Sequence, residues 1–514
     1  MLHVRTERPS RWTLYGIVAV AALIRLPSLL HDGLFRDEAN AFIVVSAPSL
    51  TALLHRIAAI EWHPPLYFLI AYFWIRGVGT SELALKGLPF LFSLITVPLV
   101  YRLARTVGSP AVGLIAAGVF AVSPLAVSYS TSYLYPMTGL LFVLLAYVVA
   151  LARREQVTVA RLGILALVTM LVAYAHYAAL FYLPALVAWA IFSPRGLRHG
   201  AMLALAMLVG WLPFLLWLPV FLHQQQVGVP YQSTSSVADR AAFFLTSLVL
   251  LVPVRAAMPE WPMFFCIAAM GFFARARTIL TSAAPATGAI FLVVLFLVSA
   301  SGLVRIRYAL PAYGLQCVFL AWLVCGAWKP IASERSARLR RWAATIAAAL
   351  IVLFACGDFY QALASSAIPK SGIRSFVTEG LPGDTLYVLA PDYLAPTFAY
   401  YTRRDPVPFL GFARIEHPES FTLDGYAKLW KAPGAVNDAL AAIAGEAREY
   451  RYLDVIVDEI SRDEGPMPYA KTWALLGQLK SRYRLSNTRR FAGVWEPIAV
   501  YQFDLRVHET SQRD

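Results

Sequence analysis

Apolar residues run along most of this chain in blocks long enough to cross a bilayer, whose hydrocarbon core of about 30 Å takes roughly 20 helical residues. The blocks fall at 12–30, 83–104, 109–127, 134–152, 160–175, 177–193, 200–222, 260–274, 286–304, 308–328 and 342–363, and the pattern predicts eleven membrane spans. Two shorter apolar stretches, 64–76 and 241–254, sit beside long polar loops and read as interfacial or re-entrant helices. The first block follows Arg5, Arg8 and Arg11 and has no small-residue cleavage site, so it reads as a retained helix and not a removable signal peptide. After Ala364 the pattern changes. Strand-like runs at 385–390, 453–459 and near 498–504 alternate with helix-like stretches near 393–402, 435–449 and 467–483. The expected architecture is a polytopic α-helical domain over residues 1–364 followed by an extracytoplasmic α/β domain over 365–514.

Composition sharpens this. Of 514 residues, 59% are hydrophobic and only 14% charged, against about 25% charged in soluble proteins. An ordinary cytosolic enzyme, a disordered chain and a generally basic nucleic-acid binder are all excluded. Cys266, Cys317, Cys325 and Cys356 fall inside apolar runs, so no disulfide framework is legible. With the amino terminus in the cytoplasm, the inner loops hold 17 basic residues against three acids, the outer loops before 364 eight against seven, and residues 365–514 eighteen against nineteen. The whole net charge of +14 then lies on one side, as the positive-inside rule asks. The basic balance concerns topology and not nucleic acid.

The polar clusters that could carry chemistry gather on the opposite side. The first outer loop brings Asp37 and Glu38 just ahead of an amphipathic stretch, 39–59. Acids there cap a helix start, or a carboxylate at the lipid–water boundary acts as a general base. In Trp62-His63-Pro64-Pro65-Leu66-Tyr67, the prolines fix the backbone and open a helix. His63 is then either an interfacial residue or a nitrogen presented to a phosphate. Arg305-Ile306-Arg307-Tyr308 puts guanidinium groups at an outer span end, either snorkelling to headgroups or clamping a phosphate. His176, in Tyr174-Ala175-His176-Tyr177, lies where one span turns into the next; His223 heads a Gln-rich loop. There is no H-E-x-x-H or Cys/His metal spacing, so a divalent metal ion would need scattered ligands.

Together these pieces resemble the polyprenyl-phosphate-dependent glycosyltransferases with the GT-C fold, among them protein O-mannosyltransferases and the bacterial aminoarabinose transferases of lipid A. The resemblance rests on Phe35-Arg36-Asp37-Glu38-Ala39, on HPPLYFLIAYFWIRGVGTSELALKGLPFLFSLITVPLVYRLAR (63–105), on SPLAVSYS (123–130), on AYAHYAALFYLPAL (173–186) and on Arg307-Tyr308. It implies that Asp37, with Glu38 beside it, is catalytic. It also implies that Arg36, His63, His176, Arg305, Arg307 and Tyr308 contact substrate or phosphate. In the aminoarabinose transferases a lysine precedes the double proline; here that residue is His63. Many relatives carry an acid and then an arginine in the second outer loop. Ser130-Thr131-Ser132-Tyr133-Leu134-Tyr135 has neither.

The resemblance implies transfer of a sugar from a polyprenyl-phosphate donor, with inversion, to a lipid, glycan or protein acceptor on the outer face of a bacterial cytoplasmic membrane. An Ala- and Arg-rich, Lys-poor composition favours undecaprenyl or decaprenyl phosphate over dolichol as carrier. The alternative is a transporter or flippase. Few mid-span charges, no internal repeat and polar clusters on one face weigh toward the enzyme.

Overall fold

The computed structural model describes residues 11–151, 157–177, 197–228, 236–241, 310–326, 368–412, 432–459 and 469–508, with short pieces at 186–187 and 306–308 and scattered single positions. The chain divides into two compact units. The first holds residues 1–29, 63–67 and 86–363; the second holds 30–62, 68–85 and 364–514.

The first unit is helical. Its elements are α1 (Arg11–His31), most of α5 (Glu82–Val107), α6 (Pro110–Val122), α7 (Pro124–Ser130), α8 (Pro136–Leu151), α9 (Val159–Ala175), α10 (Leu197–Trp211), α11 (Leu218–Gly228) and α12 (Leu310–Gly326). Among the described residues, Arg11–His31, Glu82–Val107 and Leu197–Leu216 are long and apolar enough to cross a membrane. The expected block at 109–127 is broken. Ser123 ends α6, Pro124 opens α7, and the Ser123 hydroxyl caps the new helix at Ala126 N–H. Tyr313 of α12 donates its hydroxyl to Ser123 Oγ at 2.5 Å, fixing that break. The expected blocks at 177–193, 241–254, 260–274, 286–304 and 342–363 lie wholly or largely outside the described residues.

Small residues let these helices approach closely. A Cβ at Gly210 of α10 would strike the backbone carbonyl of Ala166 in α9, and one at Gly314 of α12 would meet Leu144 of α8. Arg25 is buried in α1, yet its guanidinium is satisfied. It donates to Ala121 O at 2.6 Å, to Ala21 O at 2.9 Å and to Ser93 Oγ at 2.9 Å. Ala121 lies in the last turn of α6, where helix carbonyls lack partners and favour a cation.

The second unit is α/β. Its sheet runs β2-β1-β3-β5-β4, from strands β1 (Thr385–Ala390), β2 (Phe409–Gly411), β3 (Tyr452–Asp458), β4 (Tyr483–Phe491) and β5 (Ile498–His508). β1 pairs parallel with β2 and β3; β5 is antiparallel to β3 and β4. The central strands are covered on both faces, which is why β1 reads as a continuous apolar run, TLYVLA. β4 is an exposed edge carrying Arg484, Arg489 and Arg490, charges that discourage pairing with another chain. Helices α13 (Gly372–Thr378) and α14 (Ala395–Thr402) cover the sheet through Ile373, Phe376 and Phe398. Helices α15 (Ala435–Glu446) and α16 (Tyr469–Arg482) lie in the same unit and pack against each other.

Residues 30–62 and 68–85 belong to this same unit. The amphipathic stretch expected as one element over 39–59 forms two helices, α2 (Arg36–Val45) and α3 (Leu50–Ile60). Pro48 lies in the break, and the Ser49 hydroxyl restarts the helix by accepting Ala52 N–H at 3.1 Å. The segment 64–76 is helical, as α4 (Leu66–Val78).

Candidate active site

The expected site residues fall into two groups, one in each unit. In the second unit, residues 36–38 form the first turn of α2, where carboxylates favour the helix dipole. Glu38 is fully buried. Its Oε1 meets Lys370 Nζ at 2.7 Å, and its Oε2 accepts Phe35 N–H at 3.3 Å. That carboxylate caps the helix and neutralises a buried lysine. Asp37 is different: its side chain keeps 32% exposure, and its Oδ1 lies 3.5 Å from Arg36 Nε.

Arg36, expected at a phosphate, has its charge matched within the second unit. Its guanidinium lies over the Tyr393 ring at 4.4 Å and 3.7 Å from Asp458 Oδ2, which also accepts the Tyr393 hydroxyl at 2.6 Å. Burial works against the charged guanidinium, but Asp37, Tyr393, Glu496 and Asp458 outweigh it and raise the Arg36 pKa. Glu496 is buried, and burial pushes its carboxyl up to about 8, against the opposing pull of Arg36 and of hydrogen bonds from Ser371 and Thr397. The far end of α2 is held as well. Arg76 of α4 donates to Ala47 O at 2.6 Å, and Arg56 of α3 donates to Ile43 O at 2.8 Å.

Upstream of α2 the chain turns at Gly33, with φ +71°, where a Cβ would come within 2.8 Å of the Tyr401 hydroxyl. That hydroxyl accepts Leu34 N–H at 2.8 Å. Phe35 stacks on Trp495, ring centroids 6.0 Å apart.

The other group lies in the first unit. Pro64 and Pro65 lead from His63 into α4, and the His63 ring stacks on Tyr135 with centroids 3.5 Å apart. His176, just past the end of α9, is 5.0 Å from Tyr135, 6.4 Å from His63 and 6.1 Å from Tyr308, centroid to centroid. Gly139 of α8 permits this, since a Cβ there would press on His176 at 3.0 Å. Arg307 lies 5.4 Å from the Tyr308 ring. Burial, with the fields of His176 and Arg307, holds the His63 imidazole well below its ordinary pKa. Burial and Arg307 push His176 down to about 3. Both imidazoles are therefore neutral at pH 7, and the cluster's positive charge sits on Arg307. A neutral His63 can donate one N–H to a phosphate, but it does not supply the charge a lysine would.

Arg305 lies outside the described residues. Tyr135, at the end of the buried second loop 130–135, was not among the expected site residues, although its ring packs against both histidines. Lys370, Asp458, Tyr393 and Glu496 were not expected either; none lies in a recognisable motif. Among the described residues, no group of three or more His, Cys, Asp or Glu side chains gathers as a metal site.

The helical unit and the sheet unit that takes in the first long loop have the GT-C fold. The chain shares its fold with ArnT, the lipid A aminoarabinose transferase, from Cupriavidus metallidurans in the apo state: TM-score 0.58 at 14% identity, over 95% of this chain and 97% of that one. The same ArnT bound to undecaprenyl phosphate matches at TM-score 0.52 and 14% identity, with the same coverage. The oligosaccharyltransferase of Archaeoglobus fulgidus in its apo form matches at TM-score 0.55 and 13% identity, over 98% of this chain and 75% of that one. No protein-family model and no curated protein matches the sequence.

Proposed function

We propose that this protein is an integral-membrane inverting glycosyltransferase that moves a sugar from a polyprenyl phosphate to an acceptor on the extracytoplasmic face. The observation that carries the reading is the division of labour at the start of α2. Glu38 is consumed by Lys370, while the neighbouring Asp37 carboxylate stays partly exposed. One carboxylate suits this chemistry. A glycosidase needs two because its leaving alkoxide must be protonated, whereas a phosphate leaves as a stable anion. The acceptor hydroxyl attacks the anomeric carbon from the face opposite the phosphate. The carbon–oxygen bond to phosphate breaks with its electron pair, and the acceptor proton passes to Asp37. Arg307, with Arg305, holds the lipid phosphate, and His63 offers a neutral N–H. A fold shared with an ArnT bound to undecaprenyl phosphate supports that donor class.

The reading extends to topology: eleven spans with two interfacial or re-entrant segments, the amino terminus in the cytoplasm, a catalytic membrane domain over 1–364 and an extracytoplasmic domain over 365–514. The inner membrane of a bacterium is the proposed location. The test is sugar transfer in detergent from a panel of synthetic polyprenyl-phosphate sugars, comparing wild type with Asp37→Asn. The expected result is a loss of turnover of at least about 100-fold, typical of removing a general base, with an unchanged melting temperature. Equal turnover in both proteins would remove Asp37 as the base. No turnover and no donor binding across the panel would favour the transporter.

A further inference from the structure

Asp37 sits between two residues whose side chains are both held by the C-terminal domain. Glu38, on one side, is buried against Lys370 at 2.7 Å. Arg36, on the other, is held by Asp458 at 3.7 Å and by the face of Tyr393 at 4.4 Å. Successive helix positions diverge by about 100°, so grips on residues 36 and 38 set the rotation of the turn between them and hence where Asp37 points.

Lys370 is fixed in turn by its backbone. Its N–H donates to Asp32 O at 2.5 Å, and its carbonyl accepts Trp495 and Glu496 N–H at 3.0 Å each. Asp458 is the last residue of β3, at the carboxyl end of a parallel strand, and its carboxylate also takes the Tyr393 hydroxyl. Neither residue is needed to close the hydrophobic core of the sheet, which is made by Phe376, Phe398, Ile456 and Val500 among others.

Resting on the reading of Asp37 as general base, we propose that Lys370 and Asp458 are positioning residues of the transferase: they clamp Glu38 and Arg36, and through them aim the Asp37 carboxylate. The C-terminal domain is thereby part of the catalytic apparatus without touching substrate. A displacement of about 1 Å in a reacting group can cost about 100-fold in rate, so loosening this clamp acts on turnover and leaves donor binding alone.

The test uses the full chain. Lys370→Met alone strands the buried Glu38 carboxylate and risks the fold, so the deciding variant is Lys370→Met with Glu38→Gln, which removes both charges together. Asp458→Asn loosens the other side, and Arg490→Gln, in an exposed ion pair with Glu459, is the control. The expected result for the double variant and for Asp458→Asn is kcat down at least tenfold, donor KM within twofold and the melting temperature near wild type. Hydrogen exchange at residues 36–40, measured without substrate, should rise in both and stay unchanged in Arg490→Gln.

Unchanged kcat in both variants, beside a wild type that turns over, would overturn the proposal while leaving the transferase reading intact. So would a rise in KM that accounts for the whole loss. Faster exchange in the double variant alongside a wild type that never turns over would uphold the mechanical clamp and refute the transferase reading. Unchanged exchange would refute the clamp whatever the activity.

Discussion

Glu496 should make the C-terminal domain less stable as pH rises, and the size of the effect follows from its burial. The carboxyl lies 1% exposed, accepts the Thr397 hydroxyl at 3.2 Å and has its pKa pushed from 4.5 up to about 8, chiefly by burial. Below pH 4.5 both folded and unfolded chains carry the proton, and the folded state loses nothing. Between pH 4.5 and about 8 the folded chain binds more protons than the unfolded one, so stability falls with rising pH and levels off above. At about 1.4 kcal/mol per pH unit, a gap from 4.5 to about 8 corresponds to about 5 kcal/mol in all. For a unit of this size that is about 10–20 °C in melting temperature.

Glu496→Gln keeps an acceptor for Thr397 and removes the titration. Thermal unfolding of the intact protein, followed by tryptophan fluorescence between pH 5 and 9, is the assay. Trp495, stacked on Phe35 beside the site, is a local reporter. The variant should match wild type near pH 5 and melt at least about 10 °C higher at pH 9. Parallel curves across the range would show that Glu496 folds already ionised, and the account of its burial would be wrong.

Other perturbations address the first unit. Arg307→Gln should weaken binding of undecaprenyl phosphate by about 10- to 100-fold, the value of a charge-assisted hydrogen bond or two. Titration monitored by native mass spectrometry reads this without any sugar transfer, and undiminished affinity would take the phosphate away from Arg307. Gly210→Val should drive α10 off α9, because the new side chain meets the Ala166 carbonyl. A loss of about 1–3 kcal/mol should appear as a lower melting temperature and a broadened peak on size exclusion, and an unaltered profile would show that the helices are less tightly packed than the geometry requires.

Parts of this architecture are legible in the sequence because one physical rule governs them. β1 and β3 are parallel, central and covered on both faces, so TLYVLA and LDVIVD announce themselves as apolar runs. β4 does not, because an edge strand reading YRLSNTRRF has little apolar face to show. The break between α2 and α3 was signalled by Pro48 and Ser49, but the helical spacing on either side concealed it. Asp37 and Glu38 were both visible as candidate acids. What separates them is Lys370, a lone lysine 332 residues away, which no local pattern connects to the first loop. The same holds for Asp458 beside Arg36 and for Tyr135 beneath His63. Pairings made by the fold alone leave no periodicity to read.

The buried pair between Glu38 and Lys370 also sets an order of events during synthesis. At about 5–20 residues per second, the ribosome needs roughly 20–60 s to travel the 332 residues that separate the two partners. Throughout that interval the first loop has left the ribosome with Glu38 still without the lysine that pairs with it in the folded protein. The pair therefore forms late, once the sheet that holds Lys370 has been made. On the proposed reading, a chain cut short anywhere before Lys370 would carry Asp37 without the lysine that holds its neighbour Glu38, and would transfer no sugar.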